Sequence, residues 1–327
     1  MSGALSGGRR RHRHGRRLAL IALLLAPLAV AAAAYLALVR DPGAGAVAAL
    51  PAPSAAGTPL DAGGSLEPRS PAPIRLTGVD AFRAELRSPP AAALVFDLED
   101  GEVLYRLNPR RALPMASLTK IMTALAVTQG SRPDEPVRIT PAALRYSGSG
   151  VGVLPRGKRV RLETLLNGLM LVSGNDAAIA LAVHLSGSER RFVALLNEKA
   201  RLWGLTCTRF TDSHGLGAGN RSCPADLAVL ARLAMREPRI ASIARRAQAS
   251  FRFPVKGGRL YLAGHNPLIR TGYRGAIGLK TGYTNEAGRC FVGVARRGGR
   301  TLGVVVLDSP DPGGQAARLL DRGFAAG

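Results

Sequence analysis

Three short strings in this chain set hydroxyls and amines at spacings that support covalent chemistry. The first is Ser117-Leu118-Thr119-Lys120, at the head of the apolar run MASLTKIMTALAV. Residues three apart share a helix face, so Ser117 and Lys120 can touch. Burying an ammonium disfavours its charge, and a lysine depressed in this way becomes a base near neutrality. Arginine cannot do this, because it keeps its proton. The residue type is therefore informative in a chain that holds five lysines against forty arginines. Alone, the string is short, and it also fits a lysine that snorkels to solvent beside a serine that caps the helix.

The second string, Ser173-Gly174-Asn175, sits where two helical patterns meet, so its hydroxyl and amide can point into one cleft. It also fits an ordinary cap for the helix that follows. The third, Lys280-Thr281-Gly282, ends an apolar strand. There a lysine and a hydroxyl can meet a carboxylate, and glycine lets a ligand approach the backbone. Finding all three in this order by chance in a chain of this composition has odds below about one in a thousand.

The elements around these strings alternate in a definite order. AALVFDLEDGEVLYRLN, from Ala92, reads as a hairpin about Glu99-Asp100-Gly101. The run opened by Ser117 is helical and stops at Gly130. Helical patterns follow in LETLLNGLMLVS, NDAAIALAVHL, SERRFVALLNEKARLWGL and PADLAVLARLAM. The chain then returns to strand in AIGLKTGYT, RCFVGVARR and TLGVVVLD, and closes with the amphipathic GGQAARLLDRGF. A strand pair, a helical middle and terminal antiparallel strands predict an α+β fold, one sheet with helices on its faces.

With these residues in view, the chain resembles the serine D-alanyl-D-alanine carboxypeptidases, low-molecular-mass penicillin-binding proteins of the peptidase S11 type. The resemblance runs from about Ala91 to Phe324 and rests on ASLTKIMTA, LMLVSGNDAA, the DSHGL turn at Asp212 to Leu216 and GAIGLKTGYT. It implies a β-lactamase/transpeptidase-like fold with a helical subdomain. It also implies a catalytic set of Ser117 as acylated nucleophile, Lys120 as its base and Ser173 as proton relay. Asn175, Lys280, Thr281 and Gly282 would bind substrate, and the N–H groups of Ser117 and Tyr283 would form an oxyanion hole. The expected substrate is a peptidoglycan stem peptide ending in D-Ala-D-Ala, with β-lactams as acylating inhibitors and no metal or other cofactor. One departure stands out. Some members carry an arginine after the last strand to hold the substrate carboxylate, whereas this chain reads LDSPDPGG there.

Other readings fit less of the sequence. D,D-endopeptidase activity would use the same residues. Glu163-Thr164-Leu165-Leu166-Asn167 matches the E-x-x-L-N string of class A β-lactamases, but it precedes Ser173 instead of following it, so Glu163 reads as a helix-start acid. Tyr146-Ser147-Gly148 lacks the asparagine of a Tyr-x-Asn string. Asp212, Ser213 and His214 are neighbours on a turn with no G-x-S-x-G elsewhere, so His214 reads as a loop-structuring residue. A non-catalytic wall-binding protein would be expected to have lost Ser117 or Lys120.

The formal charge is +23, carried mostly by scattered arginine. No nucleic-acid-binding signature accompanies it, so anionic wall polymers and lipid head groups are the expected partners of the basic surface, not nucleic acid. Residues 18–39 are uncharged over 22 positions and follow six arginines, which predicts a signal-anchor or a signal peptide with a cytoplasmic amino terminus over 1–40. A Pro/Ala/Gly-rich linker over 41–73 and a catalytic domain over 74–327 complete the expected organisation. An exported location permits a disulfide, for which Cys207 and Cys223 are the close pair, leaving Cys290 as a buried thiol.

Overall fold

AALVFD and TLGVVVL are apolar at nearly every position, a pattern that suits strands covered on both faces. The computed structural model describes residues 74–326, all within one unit, Ser65–Gly327. The segment at 18–39 and the linker at 41–73 lie outside the described residues. Among those described, no helix is long and apolar enough to cross a membrane.

The chain begins with β1 (Ala92–Asp97), β2 (Val103–Leu107) and β3 (Leu113–Pro114), then a 3₁₀ turn (Ala116–Leu118) and α1 (Thr119–Gly130). The middle holds β4 (Pro136–Arg138), α2 (Pro141–Leu144), β5 (Arg159–Arg161), α3 (Leu162–Leu171), α4 (Asn175–Ser186) and α5 (Glu189–Leu202). Next come β6 (Arg221–Ser222), α6 (Pro224–Arg236), α7 (Pro238–Ala244), β7 (Gln248–Arg252), β8 (Arg259–Ala263) and α8 (Pro267–Arg270). The chain ends with β9 (Ala276–Thr284), β10 (Gly288–Arg297), β11 (Arg300–Leu307) and α9 (Pro312–Ala325).

The main sheet has five antiparallel strands in the order β2-β1-β11-β10-β9. Because side chains alternate between faces, each strand feeds two cores. Val95, Phe291, Val304 and Val306 pack with Leu319 and Leu320 of α9 on one face. Leu94, Phe96, Val292 and Val305 pack with the helical bulk of the chain on the other. The α+β expectation, one sheet with helices on both faces, is what the structure has. Strand β9 is the sheet's edge, and the 3₁₀ turn before α1 lies against it.

Helix α1 explains how a lysine came to be embedded. Every residue from Thr119 to Val127 is buried, so the helix is enclosed on all sides and has no polar face. Lys120 cannot snorkel from such a position; its exposure is 0%.

Candidate active site

The nucleophile candidate is held by a sharp entry into α1. Met115 donates its N–H to Asn220 O, and β3 pairs with β6, which ties this segment to the start of α6. Ala116 then takes φ 48°, a left-handed conformation that a side chain disfavours. Ser117 follows in the 3₁₀ turn, half-exposed, and α1 starts only at Thr119. Its hydroxyl caps no N–H, so the alternative of Ser117 as a helix cap does not hold.

Lys120 Nζ lies 2.9 Å from Ser117 Oγ, 2.7 Å from Asn175 Oδ1 and 2.6 Å from His214 O. The orientation of the Asn175 amide follows from its other end, where Nδ2 donates to Ser147 O at 2.6 Å. A carbonyl accepts only, so Oδ1 must face the lysine. Two of the three neighbours of Nζ are thus obligate acceptors. A neutral amine spends its two N–H groups on them and turns its lone pair to the one neighbour that can donate, Ser117 Oγ. Burial, then the Lys280 cation, drives the Lys120 ammonium well below the usual lysine range, outweighing the opposite pull of Asp212 and Asp176.

The second string forms the opposite wall. Ser173, at φ 60°, turns the chain between α3 and α4. Its Oγ is buried and has no hydrogen-bond partner among the described residues. Such a group is costly to leave unpaired, which marks it for a transient partner. Asp176 fixes the adjoining loop by accepting from the N–H groups of Val151 and Gly152 at 2.8 and 2.9 Å.

The third string lies along the edge strand. Lys280 is 2% exposed, and its Nζ donates to Thr281 O at 3.1 Å. Burial brings its pKa down to about 7. Gly282 presses against the 3₁₀ turn: a Cβ there would lie 2.9 Å from Met115 O and 3.2 Å from Ser117 N. This close approach brings the Ser117 N–H beside the strand that carries Tyr283. A cleft of about 700 Å³ is lined by Ser117, Ser173, Thr281, Gly282 and Tyr283, together with Arg270, Arg289 and the start of α9. Lys120, Asn175 and Lys280 are buried behind this lining.

Two groups have a larger place here than the sequence suggests. His214, read as a loop residue, supplies its backbone carbonyl to Lys120. That turn is built on Asp212, which accepts from the N–H groups of His214 at 2.9 Å and Gly217 at 2.7 Å, and from Gly215 and Asn220 Nδ2. Burial would raise the Asp212 pKa, but the charge of His214 and these N–H donors reverse the sign and lower it. His265 also lines the cleft, and burial, Lys280 and Arg270 together favour its neutral form. Glu163 pairs with Arg239 at 3.0 Å and takes no part in the cleft lining, as its position at a helix start suggests. Among the described residues, the group with potential metal ligands is Cys207, Cys223 and Asp226, and its two sulfurs are joined in a disulfide.

Comparisons with known proteins agree with this architecture. A family model for D-alanyl-D-alanine carboxypeptidase, peptidase S11, matches residues 82–311. The D-alanyl-D-alanine carboxypeptidase DacB2 of Mycobacterium tuberculosis is 40% identical over 241 residues, 71% of this chain and 81% of that protein. A D-alanyl-D-alanine endopeptidase of Pseudomonas aeruginosa is 32% identical over 67% of this chain and 71% of its own. The crystal structure of a Mycobacterium tuberculosis D-alanyl-D-alanine carboxypeptidase superposes with a TM-score of 0.69 at 36% identity, covering 74% of this chain and 94% of that one. With a hydroxyl, a buried lysine and an edge strand brought together as above, the chain belongs to the D-alanyl-D-alanine carboxypeptidase family, peptidase S11.

Proposed function

We propose that this chain is a serine D,D-carboxypeptidase that removes the terminal D-alanine from peptidoglycan stem peptides through an acyl-enzyme on Ser117. The observation that carries the reading is the 2.9 Å approach of Lys120 Nζ to Ser117 Oγ, with the amine's other partners both acceptors. Neutral Lys120 takes the hydroxyl proton as Ser117 Oγ attacks the carbonyl of the penultimate D-alanine. The N–H groups of Ser117 and Tyr283 receive the oxyanion. Collapse breaks the C–N bond, and the proton passes from Lys120 through the Ser173 hydroxyl to the leaving amine. Lys280 and Thr281 hold the substrate's carboxylate end, and Asn175 orients Lys120. Water then attacks the ester by the reverse proton path and frees Ser117. A β-lactam acylates the same hydroxyl, with its amine still tethered in place of a departing D-alanine.

The test compares the full chain with Ser117→Ala for D-alanine release from a peptide ending in D-Ala-D-Ala. Loss of a covalent nucleophile is expected to lower kcat by at least about 10³-fold. Release that persists in the variant would remove Ser117 from the mechanism. The same residues would cleave D-alanyl cross-links, the activity named for the Pseudomonas relative, and a cross-linked dimer in the same assay measures that share.

The substrate class places the catalytic domain outside the cytoplasm, and the uncharged stretch at 18–39 supports an amino-terminal membrane anchor. Intact-mass measurement of the purified chain tests this: an anchor keeps residues 18–39, whereas a mature terminus near Tyr35 means cleavage.

A further inference from the structure

We propose that the outward face of the β7–β8 ribbon is a docking surface for the amino-sugar chain to which stem peptides are attached, with Tyr261 as its stacking platform. The proposal rests on the carboxypeptidase reading, because a stem peptide in the wall reaches the cleft with its glycan attached. Strands β7 and β8 form a two-stranded sheet apart from the main one. They pair Gln248 with Ala263, Ser250 with Tyr261 and Arg252 with Arg259. These alternate positions share the ribbon's outer face, and all six are exposed, whereas Leu260 and Leu262 between them are buried.

Tyr261 is 73% exposed, and among the described residues the other exposed aromatic side chain is Tyr283 of the cleft. Its neighbours on the face are small: Ser250 lies directly opposite, and Ala263 is two residues along the same strand. Beside the ring is a concavity of about 530 Å³, lined by Gln248, Ala249, Ser250, Tyr261, Leu262 and Ala263. That volume falls in the range of small-ligand sites. The lining carries no charge, but it does carry hydrogen-bonding groups. Arg259 Nη2 donates to Ser250 Oγ at 2.9 Å, so the serine accepts within the ribbon and keeps its own proton to give to a ligand. The Gln248 amide makes no hydrogen bond among the described residues and has both a donor and an acceptor to offer. A pyranose has an apolar C–H face and a rim of hydroxyl and acetamido groups. The ring of Tyr261 matches the first, and Ser250 and Gln248 match the second. A polyanion would be drawn to Arg252 and Arg259, which sit outside the concavity, and an added peptide strand would take an edge of the ribbon and not its face.

The ribbon leads into the wall of the catalytic cleft. Gly264 N donates to Ala247 O at 2.7 Å, which prolongs the pairing of β7 and β8, and His265 N donates to Leu171 O at 3.2 Å. His265 lines the cleft, and Leu171 ends α3, two residues before Ser173. Tyr261 lies four residues from His265, at most about 14 Å of extended chain. One substrate can therefore meet both surfaces, its peptide in the cleft and its sugar on the ribbon. Holding the sugar raises the effective concentration of the peptide at Ser117.

The experiment compares kcat/KM of the full chain on a free pentapeptide ending in D-Ala-D-Ala and on the same pentapeptide carried by a tetrasaccharide of N-acetylated amino sugars. Wild type is expected to prefer the glycan-linked form by about 10-fold, mainly through KM, the worth of one well-placed aromatic anchor. Tyr261→Ala should bring the ratio of the two close to unity, and Tyr261→Phe should keep most of it, because stacking needs the ring and not the hydroxyl. Equal kcat/KM on the two substrates in wild type overturns the surface, and so does a preference that survives Tyr261→Ala. An equal fall on both substrates in Tyr261→Ala overturns it as well, because it reveals a structural role. Calorimetric titration of the full chain with the peptide-free tetrasaccharide separates the surface from the catalytic reading. A wild-type chain that cleaves neither peptide sinks the carboxypeptidase reading. Tetrasaccharide binding that is lost in Tyr261→Ala would then still support the surface, and absence of binding would sink both.

Discussion

The charge of Lys280 is one of two forces that keep Lys120 uncharged, the other being burial. The pair therefore predicts the shape of a pH profile. In the proposed mechanism Lys120 works as a base only when neutral, so kcat/KM should fall as pH drops through its lowered pKa. In the same mechanism Lys280 helps to hold the carboxylate only when charged, so kcat/KM should fall again as pH rises through about 7. A bound carboxylate favours the charged lysine, so the alkaline limb of kcat should lie above that of kcat/KM. Lys280→Gln should lower activity, flatten the alkaline limb and move the acid limb to higher pH, because Lys120 loses a neighbouring cation that kept its pKa down. The two limbs are properties of the coupled pair, so the comparison is between whole profiles. An acid limb that stays in place in Lys280→Gln would show that burial alone sets the base.

At the scale of elements, the cleft depends on backbone conformations that the regular structure around it enforces. Ala116 and Ser173, neither a glycine, both hold left-handed φ angles, each at a cost on the order of 1–3 kcal/mol. Gly215 shows what secures the first. A Cβ at that position would lie 1.9 Å from Ala116 O, so the turn built on Asp212 packs directly against the residue that aims Ser117. The same turn offers Ser213 O to Thr123 Oγ1 and His214 O to Lys120, gripping α1 at two points. Much of this was legible in the sequence. A lysine in an apolar helix, a serine and asparagine at a helix junction, and a lysine at a strand end announce themselves by residue type. The His214 carbonyl does not, because a main-chain acceptor leaves no mark on side-chain identity. The β7–β8 ribbon was equally obscure, since QASFR alternates only between exposed and half-buried and gives a period-two pattern little contrast. Strands β4 and β5, three residues each, are too short to show a period at all.

At the scale of the whole molecule, the site is assembled from four distant stretches of chain, at 117–120, 173–175, 212–215 and 280–283, so it forms only when the fold is complete. Disulfide Cys207–Cys223 bears on that assembly, because Cys223 follows β6, the strand that pairs with the segment leading into Ser117. The bond also suits an exported protein, and burial keeps the remaining thiol unreactive, with the Cys290 pKa pushed up to about 12. The cross-link spans 16 residues. Closing a loop of that size in the unfolded chain is worth about 3 kcal/mol, which for a domain of this length corresponds to ~6–12 °C in Tm. The double variant Cys207→Ala/Cys223→Ala should therefore melt lower by that amount while keeping near-normal D-alanine release at 25 °C. Loss of activity and loss of circular dichroism should coincide on heating in both proteins, because a site drawn from four segments has no smaller unit to retain it. Activity that disappears well before the fold in the double variant would show that the Ser117 entry and the Asp212 turn open as a local unit, with the disulfide as the clasp on that unit.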